Sequence, residues 1–164
     1  MSIPYNYYLK DNSQFYYFIT KNTIEYRVAF IRDETFSAVS GLEIDNIFQI
    51  IIEKVSNKLE KLDTRVFATI QEIVRLFFIN SQNSMIYICD DKDNKGTKRF
   101  NVFNRWYQKS DLTEIIMKKD NIITCNSNNQ DLTIYSSLLY HQNNKNKKTI
   151  VEVYNTIQEI LNEK

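Results

Sequence analysis

Hydrophobic and polar residues alternate most clearly near the start of the chain, where they predict a β-hairpin. Every second position of residues 24–31 is apolar and would lie on one face of a strand: Ile24, Tyr26, Val28 and Phe30. The apolar run at residues 15–20 supplies the partner strand. Lys21-Asn22 between the two runs favours a tight turn, because Asn tolerates the positive φ of a two-residue turn.

Residues 47–55 fit either a strand or a helix. A helix starting there would carry one apolar stripe: Ile47, Ile50, Ile51, Val55, Leu59 and Leu62. As a strand, the segment would be a third member beside the hairpin. We favour the strand because β-branched residues prefer extended backbone.

A helix is predicted from Asp63, with Asp63 or Thr64 as its N-cap. Apolar residues then recur at helical spacing and define its buried face: Val66, Ile70, Ile73, Val74 and Phe77. The polar residues 80–84 end the helix. Residues 85–89 follow as a short, nearly all-apolar strand, which indicates a central place in a sheet.

The second half of the chain continues the mixed pattern. Residues 90–96 form a polar loop, after which Thr97 can cap a helix. That helix carries four large aromatic residues: Phe100, Phe103, Trp106 and Tyr107. Residues 121–125 and 132–140 predict a second hairpin, and residues 149–162 a closing helix. Its inward positions are Ile150, Val153, Ile157 and Ile160 or Leu161.

Together these elements predict an α+β fold and a single domain over residues 1–164. Antiparallel hairpins and a central strand would pack against two to three helices. The net charge is +1, so attraction to nucleic acid or to an anionic membrane would have to come from a local patch. The start of the sequence does not have the pattern of a signal peptide and no segment is apolar enough to span a membrane, so we expect a cytoplasmic protein.

Few residues offer metal, cofactor or nucleophilic chemistry. Cys89 and Cys125 lack metal-ligand spacing, and His141 is the one histidine, so we predict neither a zinc site nor a cofactor. We expect Cys89 to be a buried small apolar residue. Gly41 and Gly96 are the two glycines and form no phosphate-binding loop. We therefore predict no catalytic residue and favour a protein that is not an enzyme.

The triplet Asp90-Asp91-Lys92 ends the predicted central strand and has three interpretations. A calcium loop starting at Asp91 fails, because the required carboxylates at its fifth and twelfth positions are missing. A Mg²⁺-dependent nuclease uses an acidic residue and a lysine at such a strand end, together with another carboxylate from Asp63 or Asp45. We favour a solvated loop whose carboxylates are neutralised by nearby lysines.

Binding of nucleic acid is the alternative function. Aromatic residues interleaved with cations can stack on bases and neutralise phosphates. The candidate binding residues around the second predicted helix are Asp90, Asp93, Lys98, Arg99, Arg105 and Trp106. Helical spacing, however, places Phe100, Phe103 and Tyr107 on one face, which is more typical of a core.

A protein-binding surface is the leading hypothesis. Tyrosines near the start of the chain offer rigid contact area that is both apolar and polar: Tyr5, Tyr7, Tyr8, Tyr16 and Tyr17. Edge strands of the two hairpins could also accept a partner strand. We expect a non-enzymatic protein-binding or accessory module whose partner is another protein, with a second copy of the chain as a further candidate.

Several short motifs, taken in order, cover nearly the whole chain. They are Tyr17-Phe18-x-Thr20, Tyr26-x-Val28-x-Phe30, Asp63-x-x-Val66-x-x-Thr69-Ile70, Phe77-Phe78, Ile86-Tyr-Ile-Cys-Asp-x-x-Asp93 and Arg99-x-x-x-Phe103-x-Arg105-Trp106-Tyr107. In this order they resemble a family of small, uncharacterised bacterial proteins, a domain of unknown function. The resemblance implies an intracellular single-domain protein but no activity or cofactor. It also places Asp90, Asp93, Arg99, Arg105 and Trp106 in the family's pattern. In a structural role, Asp90 or Asp93 would pair with Arg99 or Arg105 and clip strand to helix.

Overall fold

The computed structural model describes residues 2–10 and 15–162. Within these residues the strands and helices follow in the order β1 (Tyr7–Leu9), β2 (Phe15–Ile19), β3 (Glu25–Arg32), α1 (Thr35–Ser40), β4 (Ile47–Lys54), α2 (Thr64–Phe77), β5 (Ser84–Asp90), α3 (Gly96–Lys109), β6 (Ile116–Ser127), β7 (Gln130–His141) and α4 (Lys147–Asn162). A 3₁₀ turn over Asp111–Glu114 follows α3. The predicted α+β class is confirmed.

All the strands belong to one sheet, in the order β1-β2-β3-β4-β5-β7-β6. Neighbouring strands are antiparallel except β4 and β5, which are parallel and joined by the crossover helix α2. The predicted central position of β5 is confirmed, since it lies between β4 and β7. The ambiguous segment is also settled: residues 47–54 are a strand, as propensity favoured.

Both predicted hairpins form, but their turns differ from the prediction. In the first, the residue with positive φ is Thr23 (62°) rather than Asn22, and the loop is closed by a hydrogen bond from the Thr20 amide to the Ile24 carbonyl (2.9 Å). In the second, the strands are longer than predicted and leave only Asn128 and Asn129 between them. Both have positive φ (54° and 61°), as the tight turn of a long hairpin requires.

Helix α2 begins where the sequence predicts, because Asp63 accepts a hydrogen bond from the Arg65 amide (3.0 Å). Its apolar stripe packs on one face of the sheet and is largely buried, with Phe77 partly so. Helix α3 lies on the same face, so the larger core sits between these two helices and the middle strands.

The opposite face holds a smaller core beneath α1 and α4. Phe36 of α1 stacks on Tyr154 of α4 (6.4 Å between ring centroids), and both pack on β4, β5 and β7. The prediction for α4 holds for Ile150, Val153 and Ile157, whereas Ile160 is 38% exposed. The side chain of Leu161 lies outside the described residues. Strand β1 and helix α1 were not predicted.

No helix in the described part of the chain has the length and apolar content needed to cross a membrane.

Candidate functional site

The loop after β5 is held by its own aspartates. Asp90 accepts a hydrogen bond from the Lys92 amide (3.1 Å), Asp91 from the Gly96 amide (2.8 Å) and Asp93 from the Lys95 amide (3.1 Å). Each carboxylate therefore fixes a turn of the main chain, as aspartate commonly does in loops.

Arg99 on α3 ties this loop to the helix. Its guanidinium donates to both carboxylate oxygens of Asp93 (2.7 and 3.1 Å) and to the main-chain carbonyl of Asp90 (2.8 Å). The hydrogen bonds from Arg99 lower the pKa of Asp93 below its usual value. The predicted clip between strand and helix is confirmed, with Asp93 and Arg99 as its ion pair.

Helix α3 starts two residues earlier than predicted, and Thr97 does not cap it. The N-cap is Lys95, whose side chain makes no capping bond, and Gly96 is the first helical residue. Thr97 instead shares a hydrogen bond with the hydroxyl of Tyr135 on β7 (2.7 Å). A side chain at Gly96 would lie against the main chain of Asp90, so the glycine allows the loop to close.

The residues predicted to bind nucleic acid do not form one surface. Lys98 and Arg105 are exposed and, being seven residues apart, lie on the same side of α3. Trp106 instead packs on Phe67 of α2 (5.6 Å between ring centroids), and Arg99 is engaged by the loop. Helix α3 therefore presents Lys98 and Arg105 to solvent, while Trp106, the predicted stacking residue, packs against α2.

The additional carboxylates considered for a nuclease lie elsewhere. Asp63 caps α2 and accepts from the Tyr5 hydroxyl (2.6 Å), and Asp45 pairs with Arg32 (2.7 Å) at the start of β4. Because β4 and β5 are parallel, Asp45 is at the opposite end of the sheet from Asp90. Among the described residues, no three carboxylate, histidine or cysteine side chains come together as a metal site would require.

The tyrosines predicted to bind a partner divide between the core and the surface. Tyr5 is buried and stacks on Phe18, while Tyr7 and Tyr16 pack edge-to-face on each other and both lie against the larger core. Tyr8 is 55% exposed and lies beside Tyr17 (5.7 Å between ring centroids) on the other side of the sheet. Cys89 is buried, as predicted, and donates from its thiol to the Gly96 carbonyl (3.6 Å).

Pattern analysis of the sequence missed a break in the middle of the sheet. Strands β4 and β5 pair only over their first residues, where Ile47, Phe48 and Gln49 lie opposite Ser84, Met85 and Ile86. Beyond this point β4 continues to Lys54 alongside β3, and β5 continues to Asp90 alongside β7. We call the space between residues 50–54 and 87–90 the β4–β5 gap.

Along β4, the main-chain amides and carbonyls of successive residues point alternately to β3 and to the gap. The Val55 amide donates to the Glu25 carbonyl (2.9 Å) and the Asp33 amide to the Ile47 carbonyl (2.8 Å). Since hydrogen-bonded pairs alternate in an antiparallel ladder, odd-numbered residues of β4 bond to β3. The amide and carbonyl of Ile52 therefore point towards β5.

The same reasoning applies to β5. The Asp91 amide donates to the Thr133 carbonyl (3.2 Å), so odd-numbered residues of β5 bond to β7. Ile88 and Asp90 face the gap, and the Asp90 carbonyl is taken by Arg99. The main-chain groups of Ile52 and Ile88 thus have no strand partner across the gap.

Apolar side chains border the gap on both faces of the sheet. On the helix side, Ile52 and Tyr87 are half-buried, and the Tyr87 ring stacks on Phe103 of α3 (4.0 Å between centroids). Burial raises the pKa of Tyr87 to about 12, so its phenol is protonated at neutral pH. On the other side, Ile51 and Ile88 are 39% and 41% exposed.

Comparison with known proteins gives little functional information. A model of a family of unknown function (DUF6169) matches residues 62–156. No curated protein matches the sequence. A similar solved structure is described as a CoA-dependent acyl-homoserine lactone synthase, MesI; the match has 10% identity and a TM-score of 0.39 and covers 87% of this chain and 70% of that chain. At that TM-score the likeness establishes neither a shared fold nor a shared function.

Proposed function

Because the chain belongs to this family of unknown function, we propose its role from its own geometry: it is a non-enzymatic binding module that takes an extended segment of a partner protein into the β4–β5 gap. The family match confirms the resemblance inferred from the motifs, while a bacterial source stays a prediction. The observation that carries the proposal is the unpaired main chain of Ile52 and Ile88.

Unpaired main-chain groups inside a sheet are a template for an added strand. A buried amide or carbonyl without a partner costs free energy, so native sheets pair such groups or leave them to water. An extended peptide can satisfy them, and peptide recognition by strand addition uses this chemistry. Ile52 and Ile88 would each offer one donor and one acceptor to a chain lying between them.

The side chains around the gap define the segment that would fit. Residues of an extended peptide point alternately to the two faces of the sheet. On one face they would meet Ile52 and Tyr87, and on the other Ile51 and Ile88. We therefore expect a segment with apolar residues on both faces, bound chiefly through its main chain.

A second candidate ligand shares this chemistry. The pantetheine arm of coenzyme A is also an extended chain with amides, and the exposed Lys58 and Lys61 in the loop after β4 could pair with its phosphates. Against this candidate, the Asp63 carboxylate already accepts from an amide at the start of α2. A negative charge there disfavours a phosphate at the same helix terminus.

Amide hydrogen exchange measured by NMR tests the gap without knowledge of the ligand. The Ile52 amide should exchange much faster than that of Ile51, which bonds to β3 in the same strand. Likewise the Ile88 amide should exchange faster than that of Tyr87, which bonds to β7. Equal protection within each pair would show that the gap is closed and would overturn the proposal.

Two probes then separate the ligand sources. Peptides selected from a random library and coenzyme A alone are each added to ¹⁵N-labelled protein. A peptide that slows exchange at both Ile52 and Ile88 supports the protein-binding function. Protection of the same amides by coenzyme A would instead identify the gap as a coenzyme A site. Protection by neither probe would reject both candidate ligands.

A further inference from the structure

A second surface of the sheet, which meets the β4–β5 gap at β4, is also left uncovered by the described residues. Helices α2 and α3 cover one face, whereas on the other α1 and α4 pack only on the start of β4 and on β5, β7 and β6. Over β1 to β4 this second face is left open by the described residues. We call it the open face, and its most exposed apolar residues are Tyr8 (55%), Ile19 (55%), Ile31 (46%) and Ile51 (39%).

The register places these residues on one side of the sheet. Tyr8 lies opposite Tyr17, and Tyr17 opposite Arg27. Ile19 lies two residues after Tyr17 in β2, so it points to the same face, and it lies opposite Glu25. Phe15, on the same side of β2 as Tyr17 and Ile19, lies opposite Ala29, which lies opposite Ile51 and two residues before Ile31. Residues directly opposite each other in neighbouring strands share a face, so the exposed apolar residues are joined through Phe15 and Ala29 into one patch. An exposed patch of this kind on a sheet is typical of an interaction surface.

Charges on the open face favour a second copy of the same chain. Arg27 pairs with Glu25 (3.5 Å) and lies opposite Glu53 on β4. In a two-fold arrangement the same patch meets itself, so Arg27 of each copy can lie against Glu53 of the other. The two glutamates, in contrast, would repel phosphates of nucleic acid or of an anionic membrane.

The size of the open face sets the expected affinity. Four strands spaced about 4.8 Å apart, with usable lengths of about 20 Å, give a flat area of about 400 Å². Side chains standing on the sheet enlarge the accessible area beyond this value. Stable interfaces bury about 800 Å² on each partner, so this face is sufficient for a weak dimer and not for an obligate one.

We infer that the open face of β1 to β4 is the interface of a weak, two-fold symmetric homodimer packed sheet to sheet. Two sheets can stack about 10 Å apart with apolar side chains between them, and no described helix stands in the way on this face. The inference does not depend on a ligand in the β4–β5 gap: Ile51 and Glu53 border both surfaces, but the other residues of the open face lie on β1, β2 and β3.

Sedimentation equilibrium from about 5 to about 500 µM tests the dimer. The wild-type protein should pass from monomer to dimer within this range. Ile31→Glu and, separately, Ile19→Glu should remain monomeric, because each places a carboxylate in the apolar interface. Ile79→Glu is the matched control: Ile79 is 77% exposed outside the open face, and its replacement should leave dimerisation unchanged.

A charge exchange locates the contact between copies. Arg27→Glu and Glu53→Arg should each abolish dimerisation alone, and an equimolar mixture of the two variants should restore it as a heterodimer. Circular dichroism checks that each variant is folded. A wild-type protein that stays monomeric at about 500 µM, or an Ile31→Glu protein that dimerises normally, would overturn the inference.

Discussion

Gly96 is the residue at which a very small substitution should have a large effect. A methyl group at this position would lie 2.6 Å from the Asp90 carbonyl oxygen and 2.9 Å from its carbon. Both atoms belong to the main chain, at the point where β5 turns into the loop that Arg99 holds. The main chain cannot rotate away as a flexible side chain could, so Gly96→Ala must displace either the loop or the start of α3.

The magnitude follows from two opposing contributions. Alanine favours a helix over glycine by up to about 1 kcal/mol, which alone would stabilise the protein. Forcing an extra methyl group into a closely packed site costs about 1–3 kcal/mol. Because the contact with the Asp90 carbonyl oxygen would be only 2.6 Å, we expect a cost near the upper value. We expect a net loss of about 2 kcal/mol in the free energy of unfolding, or about 4–8 °C in Tm.

Equilibrium unfolding in urea, followed by circular dichroism, measures the effect. Gly41→Ala is the control, because Gly41 has a φ of +68° and no atom within 4 Å of the added carbon. Its cost of about 1 kcal/mol would come from backbone strain alone. If Gly96→Ala proved as stable as the wild type or more so, the result would contradict the close contact between the start of α3 and the end of β5.

Three further predictions follow from the same structure. Arg99→Ala should lower the free energy of unfolding by about 1 kcal/mol in urea, because it removes the bonds to the loop, whereas exposed Lys98→Ala should change it by less than about 0.5 kcal/mol. Burial raises the pKa of Tyr154 to about 12, above the ordinary value of 10.0. The folded protein therefore keeps the phenol proton that the unfolded chain loses, so stability present below pH 10 should fall by about 2–3 kcal/mol towards pH 12, and less steeply in Tyr154→Phe. If α3 binds nucleic acid through its exposed cations, Arg105→Ala should reduce the salt dependence of binding to single-stranded DNA by about one phosphate in fluorescence anisotropy, and an unchanged slope would remove that function.

Elements in which apolar residues recur at a regular spacing could be predicted from the sequence. In β3, Val28 is fully buried while its neighbours on either side are not, which is the alternation that a strand with one covered face produces. In α2, the helical spacing of apolar residues and the Asp63 cap both act within a few residues of sequence. The ion pair of Asp93 and Arg99 belongs to the same class, because only six residues separate the partners.

Elements that depend on distant partners could not be predicted. Strand β1 is three residues long and exists because Tyr7, Tyr8 and Leu9 pair with β2. Helix α1 is only six residues long, and its Phe36 packs against Tyr154, more than a hundred residues away in the sequence. Short elements have too little periodicity of their own to be recognised, since tertiary contacts supply most of their stability.

The β4–β5 gap shows why a candidate site can be invisible in a pattern of residue types. Ile51 and Ile52 are identical, adjacent and in the same apolar run, yet the Ile51 main chain bonds to β3 while that of Ile52 faces the gap. This difference comes from the odd–even alternation of an antiparallel ladder and from where β5 stops pairing with β4. Neither property is encoded in side-chain type.

A partner strand added to the gap would bind mainly through main-chain hydrogen bonds. Substitutions that keep residues 50–54 extended should therefore preserve binding, whereas loss of the Ile52 amide in Ile52→Pro should weaken it. Ile51→Pro is the control that separates the two edges: it removes a bond to β3 and should lower stability, whereas Ile52→Pro should lower affinity with a smaller effect on stability.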